Sequence, residues 1–230
     1  MTQIEFNRTE ELLPRLEESD YPKNARRMMR AAVFLFAQRG YAGTSVREIV
    51  QAADVTNPML YYYFDNKEGL FNTLITFLFE TITRDIDELL EGADSLVDAV
   101  DGIINVYFQA CKRSPTSLKF VFSVLFGPEE SAPSFDIFDV RQQMVDEIVG
   151  LIEGAVEAGQ FEINDELDPS FLTEQLLGMI TNHLMRALKK AEGAPSRAER
   201  HQRMRKMMTE EIARNLRQFY FFGAGTPADI

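Results

Sequence analysis

The chain has 230 residues, 45% of them apolar and 26% charged, with 13 glycines, 9 prolines and a formal net charge of −12 at pH 7. This globular composition excludes the fibrous and disordered classes, the acidic start lacks the basic flank and apolar stretch of a secretory leader, and no apolar run approaches the roughly 18 residues needed to cross a bilayer. A single cysteine, Cys111, closes no internal disulfide, so a cytoplasmic chain without membrane contact or cofactor is expected.

In chain order, residues 1–20 come first, with two bases against six acids; they read as a loosely held extension, as do residues 223–230 at the other end. Ala25, Met28, Met29, Ala32, Val33 and Phe36 then make one face of a helix that Gly40 stops. Ser45 followed by Glu48 fits a capping box opening a helix to about Ala53. Thr56 is placed to cap the next helix, with Pro58 in its first turn and its end near Tyr63. Asp65 and Glu68 repeat the capping pattern before a long helix over about 67–90. Further helices are predicted at about 95–111, 115–126, 135–158, 169–190 and 198–222, separated by Gly92, Ser114-Pro115, Gly127-Pro128, Gly159 and Gly193-Ala194-Pro195. No run alternates with strand periodicity, so the fold class is all-α.

The net charge is unevenly spread along these elements. Residues 21–70 hold seven bases (Lys23, Arg26, Arg27, Arg30, Arg39, Arg47, Lys67) and four acids (Glu48, Asp54, Asp65, Glu68), a balance of +3 against −4 for residues 1–20 and −11 for residues 71–230. One cationic module suits a polyanionic partner at that module, and an acidic remainder repels such a partner and so orients the basic end toward it.

Within the module, Thr44 to Phe64 reads as helix, tight turn, helix, with Ile49, Ala52, Val55 and Leu60 spaced to form a small core between the two helices. A helix-turn-helix presents the start of its second helix to the major groove of double-stranded DNA. Five segments carry a more specific signal: Phe36-Ala37-Gln38-Arg39-Gly40-Tyr41, Thr44-Ser45-Val46, Ala52-Ala53-Asp54-Val55, Leu60-Tyr61-Tyr62-Tyr63-Phe64 and Lys67-Glu68-Gly69-Leu70. Over about residues 23–72 they resemble the TetR family of repressors. Two positions depart from the family pattern. Asp54 stands where the turn usually carries glycine, and Pro58 replaces a glycine of the recognition helix. A left-handed backbone at Asp54 is tolerable for that residue type.

The resemblance implies an N-terminal three-helix DNA-binding domain over 21–70, followed by a larger helical effector-binding and dimerisation domain over 71–222. It also implies regulation of transcription, as a repressor released from a palindromic operator by a small lipophilic effector. Asn57, Pro58 and Met59 at the start of the recognition helix are the expected base readers, Asn57 for adenine and Pro58 or Met59 for a thymine methyl, with Arg47 for guanine. Tyr61, Tyr62 and Lys67 are expected on phosphates, joined by Thr44 and Ser45.

Downstream, the residue types alone must speak. The density of aromatics suits either an ordinary core or a cavity for an apolar or aromatic effector; the candidate lining is Phe79, Ile103, Tyr107, Phe108, Phe122, Phe126 and Phe138. Two apolar stripes on the last helices, Leu172, Leu176, Ile180, His183 and Leu184, then Met208, Ile212, Leu216 and Phe219, are expected to bury against a two-fold related copy as a homodimer. Cys111 beside Lys112 and Arg113 would sense oxidants if exposed and be idle if buried.

An enzyme is not expected, because there is no Gly-rich phosphate loop, no metal-ligand spacing and no nucleophile with a base among only two histidines. The rival reading is a DNA-binding architectural or assembly factor with no effector, which direct ligand binding would separate from a repressor.

Overall fold

The computed structural model describes residues 13–127, 132–133, 137–163 and 167–223, and among them every regular element is helical. After a single 3-10 turn at Pro14–Glu18 come α1 (Lys23–Arg39), α2 (Val46–Ala53), α3 (Asn57–Phe64), α4 (Lys67–Leu90), α5 (Leu96–Arg113), α6 (Pro115–Leu125), α7 (Ile137–Glu157), α8 (Pro169–Glu192), α9 (Arg197–Met207) and α10 (Glu210–Phe222). No helix among the described residues is long and apolar enough to cross a membrane.

The local signals explain most of these bounds. Gly40 ends α1 at φ 71° while its N–H still bonds the Phe36 carbonyl, a geometry that favours glycine. Three expectations change. The single helix over 198–222 is two, because the backbone breaks at Met208 and the Thr209 hydroxyl caps a new helix by accepting from the Ile212 N–H. The cap of α4 is Asn66, whose side-chain oxygen accepts from the Gly69 N–H, in place of Asp65. Residues 13–20 are docked: Leu13 and Leu16 are fully buried, and Glu17 pairs with Arg26 and Arg30 of α1. Residues 1–12 and 224–230 of the two expected loose ends lie outside the described residues.

The helices form two compact units. The first takes the chain up to Ile82 together with Arg113–Val140, so α6 belongs to the same unit as α1 to α3. Its centre is aromatic: Phe36 stacks on Phe120 with centroids 5.7 Å apart, and Phe71 meets both rings edge-on at 5.6 and 5.4 Å. Such pairs add about 0.5–1.5 kcal/mol each beyond the area they bury.

The second unit takes Thr83–Lys112 and the chain from Arg141 onward. Its interior is built from Ile103, Ile104 and Phe108 of α5, Met144, Ile148 and Ile152 of α7, and Leu176, Leu177, Ile180 and Leu184 of α8. Gly102 lets α5 close on the end of α4, since a Cβ there would collide with the Leu89 side chain. Arg141 of α7 holds Glu174 of α8 in a two-pronged ion pair at 2.9 and 2.8 Å, and Arg217 of α10 pairs with Asp101 of α5.

Candidate nucleic-acid interface

The tight segment between α1 and α2 is held by buried polar bonds. Thr44 is 1% exposed, and its hydroxyl donates to the Gly40 carbonyl at 2.9 Å. The Lys67 ammonium donates to the carbonyls of Tyr41 and Thr44, both at 2.9 Å, and lies 3.9 Å from the centre of the Tyr41 ring. Burial holds the Lys67 pKa below the usual lysine value. The Tyr41 ring in turn rests on Phe36 and Phe71. One lysine thus clamps the approach to α2 onto the start of α4.

α2 opens with the expected capping box. Ser45 accepts from the Glu48 N–H, and the Glu48 carboxylate accepts from both the N–H and the hydroxyl of Ser45, at 2.9 and 2.7 Å. These two bonds, with Arg39 at 2.7 Å, hold the Glu48 carboxyl below the usual range. Asp54 ends α2 in the left-handed region at φ 52°, and its carboxylate meets Arg27 of α1 at 2.9 Å. The turn that lacks glycine is therefore braced by α1.

α3 begins at Asn57 with Pro58 in its first turn, and Thr56 precedes it with no side-chain capping bond, unlike the expectation. Leu60 and Phe64 are buried, Tyr63 is half-buried, and Tyr61 and Tyr62 are exposed, Tyr62 at 82%. Asp65, at φ 61°, turns the chain toward α4. Gly69 is required there, because a Cβ would strike the Phe64 carbonyl oxygen.

The expected DNA contacts consequently fall into two groups. Arg47, Asn57, Pro58, Tyr61 and Tyr62 are exposed and make no hydrogen bond or ion pair through their side chains among the described residues. Thr44, Ser45, Met59 and Lys67 are engaged inside the chain. Thr44 is buried, the Ser45 hydroxyl is used twice by the cap, and two of the three Lys67 N–H bonds go to carbonyls. Met59 is half-buried, with its sulfur accepting from the Asn24 amide at 3.6 Å. Arg27 and Asn24 escaped the sequence reading, since their partners lie far along the chain.

Residues 28–74 match the family model for bacterial regulatory proteins of the tetR family. Over these residues the chain carries the DNA-binding domain of the TetR family. Among curated proteins of Bacillus subtilis (strain 168), the HTH-type transcriptional regulator YttP is 39% identical over 61 residues, which cover 26% of this chain and 30% of YttP. YdgC, also an HTH-type transcriptional regulator, is 29% identical over 163 residues, 69% of this chain and 77% of YdgC. Two solved structures share the TetR fold at low identity. The fatty acid degradation regulator FadR from Bacillus halodurans has a TM-score of 0.74 at 17% identity and covers 91% of this chain and 100% of its own. FadR from Bacillus subtilis, solved with stearoyl-CoA, has a TM-score of 0.68 at 15% identity and covers 86% of this chain and 98% of its own. This TetR protein is a DNA-binding transcriptional regulator, with α2 and α3 as its helix-turn-helix.

The residues of the expected effector lining are divided between the two units. Phe79 lies in the core of the first unit, to which Phe122 and Phe126 also belong, their rings 6.0 Å apart and Phe126 exposed. Ile103 and Phe108 are buried in the second unit, where Phe108 stacks on His183 at 5.5 Å. Tyr107 there donates to the Met144 sulfur at 3.3 Å, and burial pushes its phenol up to about 12. The Phe138 side chain lies outside the described residues. A cleft of about 310 Å³ does open on the second unit, but its lining is Asp101, Asn105, Glu210, Ala213, Arg214 and Arg217, too polar for a lipophilic guest. The Thr173 hydroxyl of α8 is a different kind of feature: it is fully buried with no hydrogen-bond partner among the described residues.

The residues of the expected dimer stripes differ in exposure. Leu176, Ile180, Leu184 and Met208 are buried within the chain's own second unit, and Leu172, His183, Ile212 and Leu216 are half-buried. His183 is placed by a 2.6 Å contact from Nε2 to the Met207 carbonyl. Of the stripe residues only Phe219 is exposed, and the other exposed apolar side chains on these helices are Phe171, Met185 and Phe222. The Cys111 thiol is buried and burial pushes it up to about 12, so it is idle as an oxidant sensor.

Proposed function

We propose that this TetR regulator is a cytoplasmic homodimeric repressor, not an enzyme, that leaves a palindromic operator when a lipophilic effector fills its C-terminal helical region. The observation that carries the DNA half is the division of labour on α2 and α3. Thr44, Ser45, Met59 and Lys67 are spent on fixing the two helices, while Arg47, Asn57, Pro58, Tyr61 and Tyr62 stay exposed on them, with no side-chain hydrogen bond or ion pair among the described residues. In this assignment Asn57, Pro58 and Arg47 read base edges, Tyr61 and Tyr62 set register on phosphates, and Lys67 acts by positioning.

For the effector half, the transcriptional regulator FadR of Bacillus subtilis, solved with stearoyl-CoA, and AibR, solved with isovaleryl coenzyme A and operator DNA, support an acyl thioester. The unpartnered Thr173 hydroxyl supports a guest with a hydrogen-bonding group reaching α8, since a buried polar group left alone is costly and such orphans attract ligand or water. The residue division is proposed as residues 21–70 for DNA and 71–222 for effector and dimer.

A random-duplex selection with the full chain tests the DNA half. A defined palindrome is expected, with Asn57→Ala or Arg47→Ala relaxing preference at single positions by about 1–3 kcal/mol and leaving the melting temperature in place. Absence of any selected sequence at low salt rejects it. For the effector half, palmitoyl-CoA is expected to weaken operator binding by the same factor by which saturating operator weakens palmitoyl-CoA binding. Unequal factors reject that scheme, and no effect of palmitoyl-CoA on operator binding rejects the thioester.

A further inference from the structure

Helices α8 and α9 carry a concentration of positive charge that the helix-turn-helix does not use. Between Arg186 and Lys206 the chain places eight bases (Arg186, Lys189, Lys190, Arg197, Arg200, Arg203, Arg205, Lys206) against two acids (Glu192, Glu199), a balance of +6 over 21 residues. The protein's net charge is −12, so the other 209 residues hold −18. This patch is more cationic than the DNA-binding segment itself.

Two contacts lay the helix segments that carry these charges side by side. Arg203 donates to the Lys190 carbonyl at 3.4 Å, and His183 meets the Met207 carbonyl at 2.6 Å. Arg186 to Lys190 on α8 thus runs alongside Arg203 to Lys206 on α9. A five-residue stretch of helix spans about 6 Å, and packed helix axes lie about 8–10 Å apart, so the patch has the dimensions of one small polyanion. Glu199 is occupied by Arg203 at 2.6 Å. Arg186, Lys189, Lys190, Arg200, Arg205 and Lys206 are exposed and have no ion pair among the described residues.

An ordinary explanation covers part of this. Lys189 and Lys190 end α8, and Arg205 and Lys206 end α9, where cations complement the helix dipole. Arg186 and Arg200 fall outside those last turns. A lipid surface is a poor fit, because no large apolar side chain is exposed between Arg186 and Lys206 for insertion.

We propose that this hairpin binds the phosphates of a coenzyme A thioester, which makes the effector an apolar tail joined to a polyanionic nucleotide. The inference rests on the acyl-thioester reading above. Coenzyme A carries a diphosphate and a separate 3′-phosphate, which several arginine and lysine donors can share, whereas a free fatty acid or a neutral drug leaves the patch uncompensated.

The test uses the full-length protein and coenzyme A without an acyl chain, titrated calorimetrically at low salt. Binding is expected, weakening as salt rises and weaker for dephospho-coenzyme A. Lys189→Gln/Lys190→Gln/Arg200→Gln is expected to lower affinity tenfold or more with operator affinity unchanged, and Lys189→Arg/Lys190→Arg to retain it. No binding by the unsubstituted protein, or equal binding by the triple variant, overturns the proposal. A triple variant that instead loses operator affinity with a flatter salt slope makes the patch a DNA contact and overturns it too. The two readings fail separately: if palmitoyl-CoA releases operator equally from both proteins, the hairpin proposal falls and the thioester stands. If coenzyme A binds through the hairpin while palmitoyl-CoA leaves operator binding untouched, the hairpin stands and the thioester effector falls.

Discussion

At Lys67, residue type and position in a helix start were legible, but the job was not. The ammonium reads as a phosphate contact until the carbonyls of Tyr41 and Thr44 are found on it, more than twenty residues upstream. Thr44 and Met59 follow the same rule, being engaged by partners that spacing does not reveal. Ser45 and Glu48 were readable because their partners are each other, three residues apart. Glu17 gives this scale a prediction. Its carboxyl is held below the ordinary 4.5 first by a hydrogen bond from Arg30 and then by the charges of Arg30 and Arg26. A carboxyl depressed on folding stabilises fully above its unfolded value, and that contribution disappears as pH falls through the lower folded value. Because Glu17 is largely solvent-exposed, the gain at neutral pH is about 0.2–1 kcal/mol. Glu17→Gln is expected to lose that much in urea unfolding at pH 7 and to lose less stability than the unsubstituted protein on acidification below about 4.5. Parallel acid limbs would show that the Glu17 pairs do not fasten the 3-10 turn.

Among the elements, helices with their own start and stop residues were placed closely: the long helix expected over about 67–90 is α4 at Lys67–Leu90. The merged helix over 198–222 was not resolved, because Met208-Thr209 is a break without glycine or proline and the apolar spacing continues across it. The turn from α3 to α4 is where one atom decides an element's geometry. Gly69 faces the Phe64 carbonyl oxygen with no room for a methyl group, although it lies in a helix, where alanine is intrinsically favoured by about 1 kcal/mol. Gly69→Ala is therefore expected to destabilise against propensity, by about 1–3 kcal/mol in denaturant unfolding, and to weaken operator binding further by moving α3 relative to α4. A more stable Gly69→Ala variant would mean that the turn relaxes freely and that α3 is not fixed by it.

For the whole molecule, an apolar stripe in the sequence does not say whether it faces its own chain or a copy. Leu176, Ile180 and Leu184 satisfy helical periodicity and are core. The face that α8 leaves open is shifted along the helix: Phe171, Gly178 and Met185 recur at seven-residue spacing, all exposed, and a Cβ at Gly178 would meet nothing within 4 Å. Phe219 and Phe222 extend the exposed apolar surface on α10. A second copy packing on these helices would bury that line at the smooth notch of Gly178, and an operator with two half-sites about 34–36 Å apart demands such a copy. The two sets of residues should then separate under substitution. Leu176→Ala is expected to cost about 2–5 kcal/mol in unfolding, as a cavity in the core does, while the folded protein stays dimeric. Phe219→Glu/Phe222→Glu is expected to leave the protomer folded by circular dichroism but to shift sedimentation to the monomer and to abolish tight operator binding, since one recognition helix reads too few base pairs. A dimer that survives both glutamates would place the two-fold contact on another face, whereas dissociation caused by Leu176→Ala would return the buried stripe to the interface.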